Sequence, residues 1–249
     1  MKSNNETYII LGGTGSIGSA LVRQLTSTGA NVISGARDTG KSDQLADETG
    51  CDVHSVEADD PASIDACVNG AVEKYGTITG VANCIGSVLL KPAHLTSDAE
   101  WHHTITTNLT SSFSLVRGAA KAMRQSGGSI VLVSSAAAQI GLSNHEAIAA
   151  AKAGIIGLTL SAAATYSNRG IRVNAVAPGL VKSEMTRKLW ETDEAAAMSA
   201  QMHAMGRLGE PQDVARAIAW LLDPANTWVT GQTIGVDGGL GSVLTKMKI

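Results

Sequence analysis

Residues 8–21, YIILGGTGSIGSAL, place a glycine-rich turn between a short apolar run and a segment with helical periodicity. The apolar run YIIL (8–11) is typical of a buried strand in a parallel sheet. Glycines suit a tight strand-to-helix turn and let a ligand approach the backbone closely. The first turn of the helix offers free N–H groups and a positive dipole end to a phosphate. A purely structural turn is the alternative, but the position between the first strand and its helix favours dinucleotide binding.

Strand-like and helix-like segments alternate along the rest of the 249 residues, of which 44% are hydrophobic. Apolar strands separated by helical segments predict a parallel sheet covered by helices on both faces. The fold class is therefore α/β, and the length suits one doubly wound domain. The predicted strands are 8–11, 31–36, 52–58, 78–86, 129–135, 171–179 and 232–239, and the predicted helical segments are 16–29, 61–75, 97–127, 144–167, 183–205 and 211–223.

The composition argues against several classes of partner. The net charge is -3 and no Lys/Arg cluster is present, so we expect no nucleic-acid binding. Cys51, Cys67 and Cys84 are odd in number and lack CxxC spacing, which predicts buried thiols and neither a metal site nor a disulfide. The polar N-terminal residues and their short apolar run fit neither a signal peptide nor a membrane span. We therefore expect a cytoplasmic protein with no membrane partner.

Several motifs, taken in their order and spacing, give the chain a family resemblance over nearly its whole length. They are GGTGSIG (12–18), ANCIG (82–86), NLTSSFSLV (108–116), IVLVSS (130–135), AAAKAGIIGLT (149–159), GIRVNAVAPGLVKSEM (170–185), GRLGEPQDVA (206–215) and GQTIGVDGG (231–239). The chain resembles the short-chain dehydrogenase/reductase family. This resemblance implies a single domain over 1–249, a Rossmann-type three-layer sandwich with about seven parallel strands. It also implies NAD(P)-dependent hydride transfer between a nicotinamide cofactor and a carbonyl or alcohol substrate.

The resemblance also implies which residues hold the cofactor. The glycine turn departs from the family's usual Thr-Gly-x-x-x-Gly-x-Gly, since Leu11 and Ser16 replace its Thr and its middle Gly. Its spacing is similar to that of the family's extended and atypical members. By the same resemblance Asp59, or Asp60 beside it, would face the adenine, and Asn83 would line the adenosine ribose. Val181 and Ser183 would line the nicotinamide amide end. The implied cofactor residues are Gly12, Gly15, Ser16, Ile17, Gly18, Arg37, Asp59, Asn83, Gly86, Lys152, Pro178, Gly179, Val181 and Ser183.

The end of the second strand bears on the choice between NAD and NADP. NAD-preferring relatives carry an acidic residue there, which hydrogen-bonds the ribose hydroxyls and repels a 2′-phosphate. This chain has Ala36 followed by Arg37, whose guanidinium suits a phosphate. The alternative is a surface arginine with no preference, and the glycine turn supplies no second basic residue. We expect NADP as the cofactor.

The catalytic residues implied by the resemblance include one departure. In the family a serine binds the carbonyl, a tyrosine delivers the proton, a lysine four residues later holds the ribose, and an asparagine supports the lysine. Here these positions are Ser135, Ile148, Lys152 and Asn108, so the tyrosine is replaced by isoleucine. Ser135 has a structural role as its alternative, and Lys152 would also suit a protein that only binds cofactor.

His145 is the one candidate for a substitute proton donor. It precedes Ile148 by three residues and Lys152 by seven, so one helical face can carry all three side chains. Imidazole titrates near neutral pH and donates protons well. The alternative is an exposed histidine at the start of a helix.

Residues 182–206 correspond to the family's variable substrate segment, and their methionines predict a lid over an apolar substrate. Ordinary packing is the alternative for this Met spacing. The resemblance further implies a homo-oligomer, a dimer or tetramer, formed through the helices near 100–125 and 145–167 and the C-terminal strand. Three functions remain open: an NADP-dependent reductase, a catalytically silent NADP-binding module or sensor, and a scaffold subunit of a hetero-oligomer.

Overall fold

The computed structural model describes residues 6–244, within which seven strands and eight α-helices follow one another. These are β1 (Thr7–Leu11), α1 (Ser16–Thr26), β2 (Asn31–Ala36), α2 (Thr39–Thr49), β3 (Asp52–Ser55), α3 (Pro61–Tyr75), β4 (Gly80–Asn83), α4 (Asp98–Ile105), α5 (Ser111–Ala122), β5 (Gly128–Val133), α6 (Glu146–Tyr166), β6 (Ile171–Pro178), α7 (Asp193–Gln201), α8 (Pro211–Leu222) and β7 (Thr233–Val236). All strands pair in parallel in the order β3-β2-β1-β4-β5-β6-β7. The order reverses between β1 and β4, which is where ligands bind in doubly wound sheets.

Strand β1 shows why the sheet is covered on both faces. Its side chains alternate, so Ile9 and Leu11 join one core cluster while Tyr8 and Ile10 join the other. Helices α3, α5 and α6 cover the first face, and helices α1, α2 and α8 cover the second. The predicted α/β three-layer sandwich with a seven-stranded parallel sheet is confirmed.

Helix limits differ from the prediction where the apolar pattern is weak. Helix α2 is absent from the prediction because only Ser42 and Leu45 are buried along it, so it lacks an apolar stripe. The segment predicted as one helix over 183–205 instead contains a 3₁₀ turn, Arg187–Leu189, and the short helix α7. The Thr192 side chain accepts a hydrogen bond from the Ala195 N–H and starts α7 separately.

The stretch predicted as helical over 97–127 is helical from Asp98 to Ala122, but it contains a π-helical turn at Thr106–Thr110. Ser97 caps its start through a capping box with Glu100. A π turn inserts one extra residue into the helix, and such turns are common at functional sites.

The glycine turn after β1 depends on a close backbone approach. A Cβ atom at Gly18 would lie 2.1 Å from the Gly12 carbonyl oxygen, far inside van der Waals contact. Gly12 itself has φ +74°, a left-handed conformation that favours glycine. The first turn of helix α1 therefore packs directly against the glycine turn, and the N-terminus of α1 lies at the carboxyl edge of the sheet.

We predict that Gly18→Ala lowers the free energy of unfolding by on the order of 2–4 kcal/mol, because the new methyl group must displace backbone. Urea denaturation measures the change. Gly70→Ala on α3 is the matched control, since its methyl group would lie 3.8 Å from the His54 ring and meet only ordinary contact. That control should be neutral or stabilising by up to about 1 kcal/mol. Equal effects of the two substitutions would contradict the close-approach argument.

Candidate active site

A cavity of about 510 Å³ opens at the carboxyl edge of the sheet, beside the ends of β1, β4, β5 and β6. A larger cavity of about 650 Å³ lies at the opposite edge, where β4, β5 and β6 begin, and contains none of the predicted site residues. The residues brought together at the carboxyl edge are Gly15, Ser16, Ile17, Gly18, Arg37, Gly86, Asn108, Ser135, Lys152, Pro178, Gly179, Val181 and Ser183. Most residues predicted from separate motifs therefore share one cavity.

The N-terminus of α1 forms one wall of this cavity. Gly15 is its N-cap residue and offers no side chain, and the first turn carries no acidic residue. In contrast, side chains of Asp38, Asp60 and Ser97 cap α2, α3 and α4. The N–H groups and the dipole of α1 are therefore left to a ligand, which fits the pyrophosphate of a dinucleotide.

Positive charge gathers at the end of the cavity formed by β2 and α2. Arg37 is exposed there, and Lys41, with 66% of its side chain exposed, also lines the cavity. The Asp38 carboxylate accepts a hydrogen bond from the Lys41 N–H at 3.0 Å, and the Lys41 Nζ lies 3.9 Å from it. This end of the cavity thus carries two cations and one carboxylate, a net positive charge that fits an added phosphate. Lys41, which stands four residues after Arg37, was not predicted from the sequence.

Four predicted residues do not line the cavity. Gly12 lies beneath it and donates its N–H to the Gly35 carbonyl at 2.7 Å. Asp59 is exposed outside it, and the neighbouring Asp60 caps α3. Asn83 is buried, at 1% exposure.

The buried Asn83 amide holds β4 against α5. It donates hydrogen bonds to the hydroxyl groups of Ser111 at 3.1 Å and Ser112 at 3.0 Å. Its oxygen accepts the Ile85 N–H at 3.0 Å. These partners give the Asn83 side chain a positioning role, and its contact with the adenosine ribose stays a prediction.

His145, the fourth of these residues, is the N-cap of α6 and does not line the cavity. Its Nδ1 donates to the Ser143 carbonyl at 2.7 Å, because a carbonyl can only accept. Ile148, by contrast, lines the cavity and is 4% exposed. The His145 ring is therefore held by a backbone carbonyl at the start of α6, and its role as a substitute proton donor stays a prediction.

Lys152 is the most deeply buried cation of the cavity, at 7% exposure. Its Nζ donates to the Val133 carbonyl at 2.8 Å, at the end of β5. Ser134 hydrogen-bonds the Lys152 carbonyl at 2.8 Å and so fixes helix α6 to the same strand end. Ser134 was not predicted from the sequence, because its role depends on the packing of β5 against α6.

Asn108 lies in the π turn and is fully buried. Its amide nitrogen donates to the Ser87 hydroxyl at 3.0 Å and to the Thr104 carbonyl at 2.9 Å. Its oxygen accepts the Ser87 N–H at 3.2 Å. A Cβ atom at Gly86 would lie 3.1 Å from this oxygen and 3.6 Å from the Lys152 Nζ, so the ends of both side chains lie close to Gly86.

Ser135 follows β5, and its hydroxyl oxygen accepts the Ala137 N–H at 3.1 Å. The hydroxyl proton remains available to donate into the cavity that Ser135 lines. The geometry is compatible with both interpretations of Ser135, a structural role and a bond to the substrate oxygen. The same hydroxyl group caps a 3₁₀ turn and lines the cavity.

The segment after β6 closes one side of the cavity with Ser183, Glu184, Met185 and Thr186. Thr186 Oγ1 donates to the Val181 carbonyl at 2.6 Å and accepts the Trp190 indole N–H at 3.2 Å. The other methionines of this segment, Met198, Met202 and Met205, lie outside the cavity with 53–72% exposure.

Buried His203 fixes the far end of this segment. Its Nε2 accepts the Leu180 N–H at 3.1 Å, while its Nδ1 donates to the Ser199 carbonyl at 2.8 Å. The ring therefore ties residues 199–203 to the end of β6. This anchor was not predicted, because the sequence offers no motif around it.

Comparison with known proteins agrees with this geometry. A family profile described as "Enoyl-(Acyl carrier protein) reductase" matches residues 12–241. The chain is 33% identical to the 3-oxoacyl-[acyl-carrier-protein] reductase FabG of Salmonella typhimurium, over 96% of this chain and 99% of that protein. It belongs to the short-chain dehydrogenase/reductase family. The protein is also 33% identical to 3beta-hydroxysteroid dehydrogenase 1 of Eggerthella lenta, over 94% of this chain and 93% of that one.

Two solved structures are similar to this chain over almost its whole length, and the first is that of a short-chain type dehydrogenase/reductase. One from Mycobacterium ulcerans has a TM-score of 0.92 at 27% identity, covering 97% of this chain and 91% of that one. A variant of actinorhodin polyketide ketoreductase with NADPH has a TM-score of 0.91 at 27% identity, covering 97% and 99%. The protein is an oxidoreductase of this family with the family's Rossmann-type fold.

One helical stretch of this oxidoreductase, Glu146–Arg169, is long and apolar enough to cross a membrane by length and composition. Its residues Ala151, Ile155 and Thr159 are fully buried, and the helix packs on β6. The face of this stretch that carries these three residues therefore belongs to the core of the sandwich.

The environment of Lys152 weakens its hold on a proton. Burial lowers the pKa of the Lys152 ammonium from its ordinary 10.5 to about 8, and the nearby Cys84 opposes this only in part. Burial likewise raises the pKa of the Cys84 thiol to about 12, so this neighbour stays neutral and supplies no counter-ion at neutral pH. The unliganded protein therefore carries a buried charge that lacks a carboxylate among the cavity-lining residues near it.

We predict that Lys152→Met raises the free energy of unfolding of the cofactor-free protein at pH 7 by on the order of 1–3 kcal/mol. The folded pKa lies below the unfolded one, so the unfolded chain binds more protons between pH 8 and 10.5. Wild-type stability should therefore rise relative to that of the variant across this window, and the difference should vanish above it.

Urea denaturation at a series of pH values measures this effect, with the exposed Lys121→Met as the control that should show no such pH dependence. A Lys152→Met protein that is less stable than wild type at pH 7 would contradict the argument.

Proposed function

We propose that the protein is an NADP-dependent reductase of carbonyl compounds. One observation carries the proposal: a single cavity gathers the uncapped N-terminus of α1, the cations Arg37 and Lys41, and the polar pair Ser135 and Lys152. The NADP and NADPH in the similar structures of ElxO and actinorhodin polyketide ketoreductase support the choice of cofactor.

Each part of the cavity has a task in this proposal. The α1 N–H groups hold the pyrophosphate, and Arg37 pairs with the 2′-phosphate. Lys152 reaches the nicotinamide ribose, and Ser135 donates a hydrogen bond to the substrate oxygen, where negative charge develops. The bound nicotinamide supplies the hydride. Asn108 positions this end of the cavity through its bonds to Ser87.

The substrate proposal rests on the apolar wall of the cavity. Ile148, Val88 and Met185 line it, and residues 182–206 serve as a lid. Similar proteins are named for 3-oxoacyl and 3beta-hydroxysteroid substrates. We therefore propose a bulky, uncharged ketone, with 3-oxoacyl thioesters as the first class to test.

The second candidate function, cofactor binding without turnover, follows from Ile148. It occupies the cavity wall with a side chain that carries no exchangeable proton. A protein with this wall and no other proton donor would bind cofactor without turnover, as a silent module, a sensor or a scaffold subunit. We favour the reductase, because the polar groups of Ser135 and Lys152 still face the cavity beside it.

We also propose a homo-oligomer, a dimer or tetramer, that resides in the cytoplasm. Large apolar side chains lie exposed on the covering helices, with Trp101 at 40%, Phe113 at 50% and Leu160 at 55%. Burying them between copies would remove them from water. Within residues 6–244 the three cysteines are free, which supports a reducing compartment.

We predict that Arg37→Ala weakens NADPH binding roughly 10–100-fold, since charge-assisted hydrogen bonds contribute about 1.5–3 kcal/mol. NADH binding should change less than about threefold, because NADH lacks the 2′-phosphate. Fluorescence titration with both cofactors measures the ratio. Arg23→Ala, which removes an exposed cation paired with Glu48 outside the cavity, should change neither affinity. Equal losses for NADPH and NADH would contradict the 2′-phosphate assignment.

We predict measurable NADPH consumption by the unmodified protein with 3-oxoacyl thioesters or hydrophobic ketones. Ile148→Tyr should raise the rate by on the order of 10²-fold, because it adds a general acid at the cavity wall. Ala150→Tyr is the matched control, since it places the same phenol on an exposed part of α6 outside the cavity. Turnover by Ile148→Tyr alone would instead establish a silent binding module.

A further inference from the structure

The inference concerns the source of the proton and rests on the proposed reductase function. The ionisable cavity-lining residues are few. Arg37, Asp38 and Lys41 lie at the end formed by β2 and α2, and exposed Glu184 pairs with Arg187 at 3.3 Å. The remaining ionisable groups are Cys84 and Lys152, in the inner part of the cavity.

Lys152 is placed to give up a proton in this inner part. Its ammonium group carries three N–H bonds, and the Val133 carbonyl takes one of them. No second acceptor within residues 6–244 forms a hydrogen bond with this nitrogen, although Nζ sits beside Gly86 at the inner end of the cavity. Free N–H bonds are thus available to a ligand that enters.

The helix turn before Lys152 offers no competing donor. Residues four apart on a helix share a face, and the residue at that place is Ile148, which lines the same cavity. The His145 ring is bonded to the Ser143 carbonyl outside the cavity. The Cys84 thiol holds its proton more tightly than Lys152 holds its own, since their pKa values are about 12 and about 8.

We propose that the Lys152 ammonium group itself protonates the substrate oxygen, in addition to holding the cofactor ribose. The hydride brings two electrons to the carbonyl carbon and forms the new C–H bond. The carbonyl π pair moves to oxygen, which takes a proton from the Lys152 Nζ and becomes the alcohol. The lysine is left as a neutral amine and regains a proton from water before the next turnover.

The test compares wild type with Lys152→Arg, which keeps a positive charge for the ribose but does not release a proton near neutral pH. NADPH affinity is measured by fluorescence titration, and hydride transfer by single-turnover decay of the NADPH signal between pH 6 and 10. Lys121→Arg, an exposed lysine on α5, is the matched control and should behave as wild type.

We expect Lys152→Arg to bind NADPH within about threefold of wild type and to transfer hydride on the order of 10²–10⁴-fold more slowly. The wild-type rate should fall about tenfold per pH unit above pH 8, and the residual rate of the variant should be independent of pH. In the cofactor-free protein, acetylation of Lys152 should be half-maximal near pH 8, well below the value for Lys121.

Three results would overturn the inference. One is a Lys152→Arg protein that keeps the wild-type rate and pH profile at saturating NADPH, which would leave the proposed function intact. Another is a wild-type rate that stays level to pH 10, which decides the question even if the variant does not fold. The third is a wild-type protein that binds NADPH yet reduces neither 3-oxoacyl thioesters nor hydrophobic ketones. Only this third result would contradict the proposed reductase function as well.

Discussion

The contact between the first turn of α1 and the glycine turn is the constraint on which the rest of the molecule depends. With no side chain at Gly18, the helix backbone can rest on the Gly12 carbonyl. This fixes the uncapped end of α1 at the point where the strand order reverses. The other walls of the cavity follow the ends of β4, β5 and β6, which lie beside β1 in the same sheet.

The second constraint is electrostatic. Folding places the Lys152 ammonium where water is scarce and gives it a backbone carbonyl in place of a counter-ion. Such a site costs free energy that the packing of α6 against the sheet must offset. The protein accepts this cost at a position where charge is needed once cofactor and substrate arrive, which is typical of active sites.

The sequence allowed the fold to be predicted well because its strongest signals are local. Strand β2 and helix α3 lie within the predicted limits 31–36 and 61–75, since β-branched runs and a Pro at a helix start are unambiguous. Helix α2 was missed because it buries almost nothing, so the periodicity that reveals other helices is absent.

The candidate site was predictable to the extent that motif residues end parallel strands, which must converge at one edge. What the sequence could not provide was orientation. Asn83 ends β4 beside the cavity, yet its side chain points to Ser111 and Ser112, and His145 turns to its own neighbouring carbonyl. Ser87 and Ser134 were missed because their partners, Asn108 and Lys152, are distant in sequence. Lys41 was missed because no motif marks it.

The π turn at Thr106–Thr110 has a consequence for how this chain can vary. Its extra residue is absorbed within an otherwise continuous helical rod, so the side chains of α4 and α5 are out of step by about one residue. Because the π turn takes up the extra residue locally, deleting one residue of it would relax the turn to an ordinary helix and leave the facing of α4 and α5 nearly unchanged. The effect of such a deletion would fall on Asn108, whose bonds to the Ser87 hydroxyl and the Thr104 carbonyl are made from within the turn, and not on the packing of the rod as a whole.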